Sequence, residues 1–120
     1  MNGKVDEFGR ALVHLKIRST ENDAESEISA WVDTAFNGEL VMPASIIEAA
    51  GLKQSGGIRA SLADGGEVTL ETFACEVNWF GEDKLIEVIA NDGAVPLLGV
   101  QLLIGHRLTV DYSEMTVTIE

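Results

Sequence analysis

A strand leads into an acidic turn at Trp31-Val32-Asp33-Thr34-Ala35-Phe36-Asn37-Gly38. Ahead of the turn, apolar Ile28, Ala30 and Val32 alternate with polar residues, which is the period-two pattern of a half-buried strand. Asn37-Gly38 is a strong turn signal because both residues tolerate positive φ. The stretch therefore puts the carboxyl of Asp33 at the end of a strand, although Asp33 taken alone also fits an ordinary turn residue.

Most of the remaining chain also has the pattern of short strands. One helix is predicted from Pro43 to Ala50, because proline fits the first helical position and Gly51 fits a left-handed cap. A break is expected at Ser55-Gly56-Gly57, and a single helical turn at residues 100–104. Strands are predicted at residues 11–18, 27–33, 40–42, 58–63, 67–79, 84–90, 107–112 and 115–119. About eight short strands with one helix predict a mainly β barrel or sandwich.

The composition argues against several classes of partner. The chain has 120 residues, with 8 Lys+Arg against 20 Asp+Glu and a net charge of −12. This length predicts one domain over residues 1–120. No basic run counters the acidic charge, so neither nucleic acid nor a membrane surface is an expected partner. A single cysteine and the lack of a leader or spanning segment predict a cytoplasmic location.

A later segment, Pro96-Leu97-Leu98-Gly99, completes a pattern when it is considered with the acidic turn. The order of strand, Asp-Thr, turn, strand, short helix, glycine-rich hairpin and Leu-Leu-Gly resembles the retropepsin-like aspartic proteases, specifically their small single-domain prokaryotic members. The resemblance covers nearly the whole chain. It implies a closed acid-protease-like barrel, assembled as a homodimer, that hydrolyses peptide or protein substrates without a cofactor or a metal ion.

The chemistry explains why one Asp-Thr motif implies two chains. Amide hydrolysis by carboxyls needs one carboxylate to deprotonate water and a second, protonated carboxyl to polarise the carbonyl. Like charges about 3 Å apart cannot both ionise, so the two groups share one proton. A second Asp33 would come from a second copy on a two-fold axis. The resemblance makes Asp33 catalytic and gives Thr34 the role of holding the two loops in register.

The resemblance also assigns residues to substrate binding and to support of the site. Substrate would contact Ala35, Phe36 and the hairpin tip Asp64-Gly65-Gly66, which would act as a mobile flap. Support would come from residues that pack behind the acidic turn, namely Leu97, Leu98 and Gly99.

Ala35 departs from the family pattern, which has glycine at this position. Its methyl group is expected to crowd the paired carboxyls, and a shift of about 1 Å in such a site can cost about a hundredfold in rate. The alternative function is therefore a catalytically silent peptide-binding or dimerisation module with the same fold.

The remaining reactive side chains are predicted to be structural. His14 and His106 lack partners at metal-ligand spacing, so no metal site is expected. Cys75 is predicted to be a core residue or an idle thiol. Trp31 and Trp79 are predicted to pack, with a place at the dimer interface as the alternative for Trp31.

Overall fold

The computed structural model describes all 120 residues and contains ten strands and two short helices. The helices are α1 (Ala44–Ala50) and α2 (Val100–Leu103). The strands are β1 (Asn2–Val5), β2 (Ala11–Ser19), β3 (Glu25–Val32), β4 (Leu40–Pro43), β5 (Lys53–Ser61), β6 (Glu67–Trp79), β7 (Glu82–Asn91), β8 (Leu97–Leu98), β9 (Leu108–Asp111) and β10 (Thr116–Ile119).

Six of the strands close into a barrel, in the order β6-β7-β4-β8-β3-β2. The ring closes because the second half of β2 pairs with β6, with Ile17 opposite Val77. Beside this pairing, Arg18 donates hydrogen bonds to Glu76 and Asp83, which raise the pKa of its guanidinium. β5 extends the sheet beyond β6, and β1, β10 and β9 extend it beyond β2. The predicted mainly β barrel is confirmed.

The core is formed by the inward faces of strands that alternate in the sequence. On β2, Val13, Leu15 and Ile17 are at most 2% exposed, whereas His14 and Lys16 between them face solvent. Ile28, Ala30 and Val32 of β3 are buried in the same way, as their spacing predicts. Full burial of a large aliphatic side chain stabilises the fold by about 1.5–3 kcal/mol, so the alternation itself selects this face.

The ends of α1 follow from its sequence. Pro43 is the residue before the helix, with φ −58°, so the helix begins one residue later than predicted. Gly51 adopts the predicted left-handed conformation, with φ 66°, and its N–H donates to Glu48 O at 3.1 Å. The Ser19 hydroxyl donates to Gly51 O at 2.9 Å and so joins this end of the helix to β2.

Neither helix has the length and apolar character that crossing a bilayer would require.

Three local features differ from the sequence predictions. Asn37-Gly38 is not a hairpin turn, because neither residue has a positive φ and β8 lies between β3 and β4. Ser55-Gly56-Gly57 does not break the chain, since β5 runs through it with an irregularity between Gln54 and Gly56. β1 is a short strand that the sequence pattern does not predict, and it is paired on both sides by β2 and β10.

Cys75 provides a test of the core. It is 0% exposed on β6, and desolvation, together with the charges of Glu39 and Glu76, raises the pKa of its thiol to about 12. Because the thiolate is the reactive form, we expect no alkylation of the folded protein by iodoacetamide at about pH 8 and full alkylation in urea. Mass spectrometry measures the adduct. Equal labelling rates in the two states would contradict a closed core around β6.

Candidate functional site

Asp33 follows β3 directly, at the point where the chain leaves the barrel wall. Trp31 and Val32 pair in parallel with Leu97 and Leu98 of β8, and the Asp33 N–H donates to Leu98 O at 2.9 Å. Asp33 is half-buried, while the two residues after it are exposed. The strand ladder therefore fixes the backbone of Asp33 and leaves its carboxyl accessible.

Leu97 and Leu98, which are predicted to support the site, form β8. β8 runs parallel to β3 and antiparallel to β4, so Leu98 lies opposite both Val32 and Leu40. Leu98 is 0% exposed, and Leu97 is half-buried. The structure thus brings this segment against the backbone that carries Asp33.

The segment after Asp33, residues 33–39, is called here the Asp33 loop, and main-chain hydrogen bonds join it to α2. The Val100 N–H donates to Phe36 O at 2.9 Å, and the Gln101 N–H donates to Gly38 O at 3.1 Å. The first N–H groups of a helix have no partner within the helix. Carbonyl groups of the Asp33 loop supply those partners, so the loop and the helix hold each other in place.

The ring of Phe36 lies over two glycines of this assembly. A Cβ at Gly38 would lie 2.4 Å from Phe36 Cζ, and a Cβ at Gly99 would lie 2.2 Å from Gly38 O. Neither glycine has a positive φ, so close approach rather than backbone conformation requires glycine here. Phe36, predicted to contact substrate, is half-buried and packs within the loop.

The carboxyl of Asp33 also shapes its own turn. Its Oδ1 accepts a hydrogen bond from the Ala35 N–H at 3.0 Å, and its main-chain O accepts one from Phe36 at 3.2 Å. Ala35 is exposed and has no positive φ, so the turn does not need the conformational freedom of glycine. Thr34 is exposed, and its hydroxyl takes part in none of the hydrogen bonds of the loop.

An open cavity of about 400 Å³ lies beside Asp33 and is called here the Asp33 cavity. Its lining is Trp31, Val32, Asp33, Thr34, Ala35 and Leu97, so four of the predicted site residues meet there. Trp31 is 40% exposed and forms a wall of the cavity. Asp33 is its one carboxyl, and no cluster of three His, Cys, Asp or Glu side chains occurs in the chain to hold a metal ion.

The predicted glycine-rich turn is the tip of the β5–β6 hairpin. The Gly66 N–H donates to Asp64 Oδ1 at 2.8 Å, and Gly65 has φ 87°, a conformation that favours glycine. The tip residues do not line the Asp33 cavity. The structure therefore confirms a turn at Asp64-Gly65-Gly66 and does not bring it to Asp33 in this single chain.

The hairpin has one apolar face and one polar face. Ile58 lies opposite Leu70 and Ala60 opposite Val68, whereas Arg59 lies opposite Thr69 on the other face. The apolar face is partly open to solvent, with Ile58 36% exposed and Leu62 near the tip 46% exposed. An amphipathic hairpin that leaves its apolar side uncovered has a surface available to a further chain segment.

Sequence reasoning missed two features of this site. The first is the packing of the Phe36 ring on Gly38 and Gly99, for which the only sequence signal is a glycine two residues after a large aromatic residue. The second is Arg10, whose guanidinium carbon lies 5.8 Å from the ring centroid of Trp31. Nothing in the sequence spacing between Arg10 and Trp31 indicates this contact.

Known structures show the fold. No protein-family model and no curated protein matches this chain. It is similar to the EIAV protease in complex with the inhibitor HBY-793, with TM-score 0.59 and 20% identity over 83% of this chain and 92% of that chain. It is also similar to the simian foamy virus (mac) protease, with TM-score 0.54 and 15% identity over 78% of this chain and 91% of that chain. A third similar structure is the retroviral protease-like domain of Ddi1 from Leishmania major, with TM-score 0.51 and 17% identity over 91% of this chain and 88% of that chain. The chain therefore has the retropepsin-like fold that its sequence predicts.

The contact between Phe36 and Gly38 can be tested by stability. Gly38→Ala is expected to lower the free energy of unfolding by about 1–3 kcal/mol, because its methyl would overlap the outer ring atoms of Phe36. Phe36→Leu removes those atoms, so the double variant is expected to lose less than the sum of the two single losses. Urea unfolding curves measure all four proteins. Strictly additive losses would show that the ring is not the neighbour of position 38.

Proposed function

We propose that this chain is an aspartic endopeptidase that acts as a homodimer, with a water molecule activated between two Asp33 carboxyls. The observation that carries the proposal is the fixation of Asp33. Its backbone is bonded to Leu98, its side chain lies at an open cavity, and the whole assembly belongs to a retropepsin-like fold. Similarity to proteases at 20% identity or less establishes the fold alone, so the activity is inferred from the site.

The proposed dimer follows from the content of the Asp33 cavity. Carboxyl-based amide hydrolysis needs two carboxyls, and the cavity contains one. A two-fold axis beside Asp33 would bring the same residue of a second copy to face it. The exposed hydroxyl of Thr34, which is free of partners within its own loop, would then be available to the partner loop.

The proposed reaction uses one proton shared by the two carboxyls. The ionised Asp33 takes a proton from the water while the water oxygen attacks the peptide carbonyl carbon. The protonated Asp33 of the other copy donates its proton to the carbonyl oxygen, giving a neutral tetrahedral intermediate. Collapse of the intermediate breaks the C–N bond: the first Asp33, now protonated, donates its proton to the leaving amine, and a hydroxyl of the intermediate passes its proton to the second Asp33 as the product carboxylic acid forms. Both carboxyls then return to the state that shares one proton.

The proposed substrate is an extended peptide that lies between the Asp33 cavity and the β5–β6 hairpin. The partly exposed apolar face of the hairpin, which includes Ile58 and Leu62, would bury apolar side chains of the peptide. Edge pairing would give affinity through main-chain hydrogen bonds, and the cavity lined by Trp31 and Leu97 would select side chains.

Asp33→Asn tests both the catalytic group and the dimer. This variant keeps the shape of the side chain and removes its charge, so we expect no cleavage of an unfolded peptide mixture between acidic and neutral pH. When equal amounts of the two proteins exchange subunits, about one quarter of the dimers carry two Asp33 residues. Specific activity per wild-type chain is therefore expected to fall by about half on mixing. Peptide release is followed by mass spectrometry.

Two results would count against the proposal. Undiminished activity per wild-type chain on mixing would mean that a single Asp33 suffices. If neither wild type nor variant cleaves peptide at concentrations where sedimentation shows a dimer, the result would favour a silent peptide-binding module.

Ala35→Gly tests whether the methyl group at this position limits the reaction. Because Ala35 is exposed and has no positive φ, we expect its replacement to change kcat/KM by less than about tenfold. The variant is expected to lose about 0.4–1 kcal/mol of stability, since glycine gives the unfolded chain more freedom. Peptide cleavage and urea unfolding measure the two effects. A gain of about a hundredfold would show that the methyl crowds the paired carboxyls.

A further inference from the structure

Arg10 lies between two aromatic rings next to the Asp33 cavity. Its guanidinium carbon is 5.3 Å from the ring centroid of Phe8 and 5.8 Å from that of Trp31. Trp31 lines the Asp33 cavity, so the guanidinium contacts a side chain that borders the space beside Asp33. Cation–π contacts of this kind favour a guanidinium that lies over the ring face.

Asp6 holds the other side of this guanidinium. Arg10 Nε donates to Asp6 Oδ2 at 2.7 Å, while Asp6 Oδ1 accepts the main-chain N–H groups of Phe8 and Arg10 at 3.0 and 2.9 Å. Desolvation raises the pKa of Asp6, but these hydrogen bonds and the charge of Arg10 outweigh it and lower the pKa. Asp6 therefore stays ionised, and both of its carboxylate oxygens accept hydrogen bonds. Its only bond to the guanidinium is the one from Arg10 Nε.

The outer edge of the guanidinium has no partner within the chain. Within the guanidinium, only Nε donates a hydrogen bond to Asp6, and the Arg10 side chain remains 28% exposed. The two Nη groups of arginine form a planar fork that matches a carboxylate with two parallel hydrogen bonds. Because the aromatic rings and Asp6 already orient this fork, a carboxylate that binds there loses little further freedom.

The surroundings of Arg10 suit an acidic side chain of a peptide. Arg10 lines a second open cavity of about 400 Å³, whose wall also includes Leu12, Ile46 and Pro96. A main-chain hydrogen bond joins the linings of the two cavities, since the N–H of Trp31, in the Asp33 cavity, donates to O of Pro96 at 2.8 Å. Its one other charged residue, Glu27, is exposed and lies opposite Lys16 in the β2–β3 ladder. The protein has a net charge of −12, so accepting a carboxylate here requires a local cation.

We infer that the Nη edge of Arg10 binds a Glu or Asp side chain of the substrate peptide, and so sets its specificity beside the proposed catalytic site. Trp31 precedes Asp33 by two residues, and an extended chain advances about 3.3 Å per residue. The recognised side chain is therefore expected about two to four residues from the cleaved bond. The inference rests on the proposed function, since the cleavage reaction belongs to that function. The binding of a carboxylate depends on Arg10 alone.

Paired peptides test the inference. The peptides have twelve residues and share an apolar centre. The two members of a pair differ only in Glu or Gln at one position, and that position lies two, three or four residues from the expected cleaved bond in successive pairs. Wild type is expected to cleave the best Glu peptide about tenfold faster, as kcat/KM, than its Gln partner, mainly through KM. Arg10→Gln is expected to abolish this preference, and Arg10→Lys to keep part of it because charge remains without the fork. Lys84→Gln, which removes an exposed cation of β7, is the control with the same change in net charge and keeps the preference.

A binding measurement separates failure of the inference from failure of the proposed function. Fluorescence anisotropy with labelled Glu and Gln peptides uses Asp33→Asn, alone and combined with Arg10→Gln or Arg10→Lys, and thermal unfolding confirms that each variant is folded. A preference for Glu that Arg10 controls supports the carboxylate subsite even if no cleavage occurs. Equal affinity of wild-type Arg10 for both peptides, no binding of either, or a preference that survives Arg10→Gln would overturn the inference, whether or not cleavage occurs.

Discussion

The backbone at Gly99 passes so close to Gly38 that a Cβ at position 99 would lie 2.2 Å from Gly38 O. This approach lets β8 fit between β3 and β4, and it lets the first N–H groups of α2 reach the carbonyls of the Asp33 loop. β8 pairs with both neighbours, and its Leu98 O accepts the hydrogen bond from the Asp33 N–H. The backbone position of Asp33 and the continuity of the sheet between β3 and β4 therefore depend on the same contact between two stretches of main chain.

The sequence predicts what is local in this fold and leaves out what depends on distant partners. Alternation on β2 and β3 is visible because burial of one face imposes a period of two on each strand separately. The same cannot be said of β8, which has two residues and acts as a strand only because β3 and β4 flank it. The turn predicted at Asn37-Gly38 is wrong because it rests on these two residues alone. Gly38 is required by packing against Phe36 and not by a turn.

The candidate site divides in the same way. Asp33 and the segment Leu97-Leu98-Gly99 could be predicted together, because a resemblance in motif order places them in one fold. The neighbourhood of Arg10 could not, since it depends on the register that sets Leu12 opposite Trp31. A shift of that register by one residue would turn the tryptophan to the other face of the sheet. Periodicity specifies which face is buried, whereas contacts across two strands require the register itself.

The hairpin of β5 and β6 is built unequally on its two sides. β6 continues through 13 residues from the hairpin to its pairing with β2, while the ladder of β5 is irregular between Gln54 and Gly56, near its base. An irregularity of this kind bends a strand and weakens its ladder locally. The β5–β6 hairpin is consequently stiffer along β6 than along β5. Its easiest motion is therefore a tilt about the base of β5. β6 itself runs without interruption from the hairpin to the β2 pairing that closes the barrel.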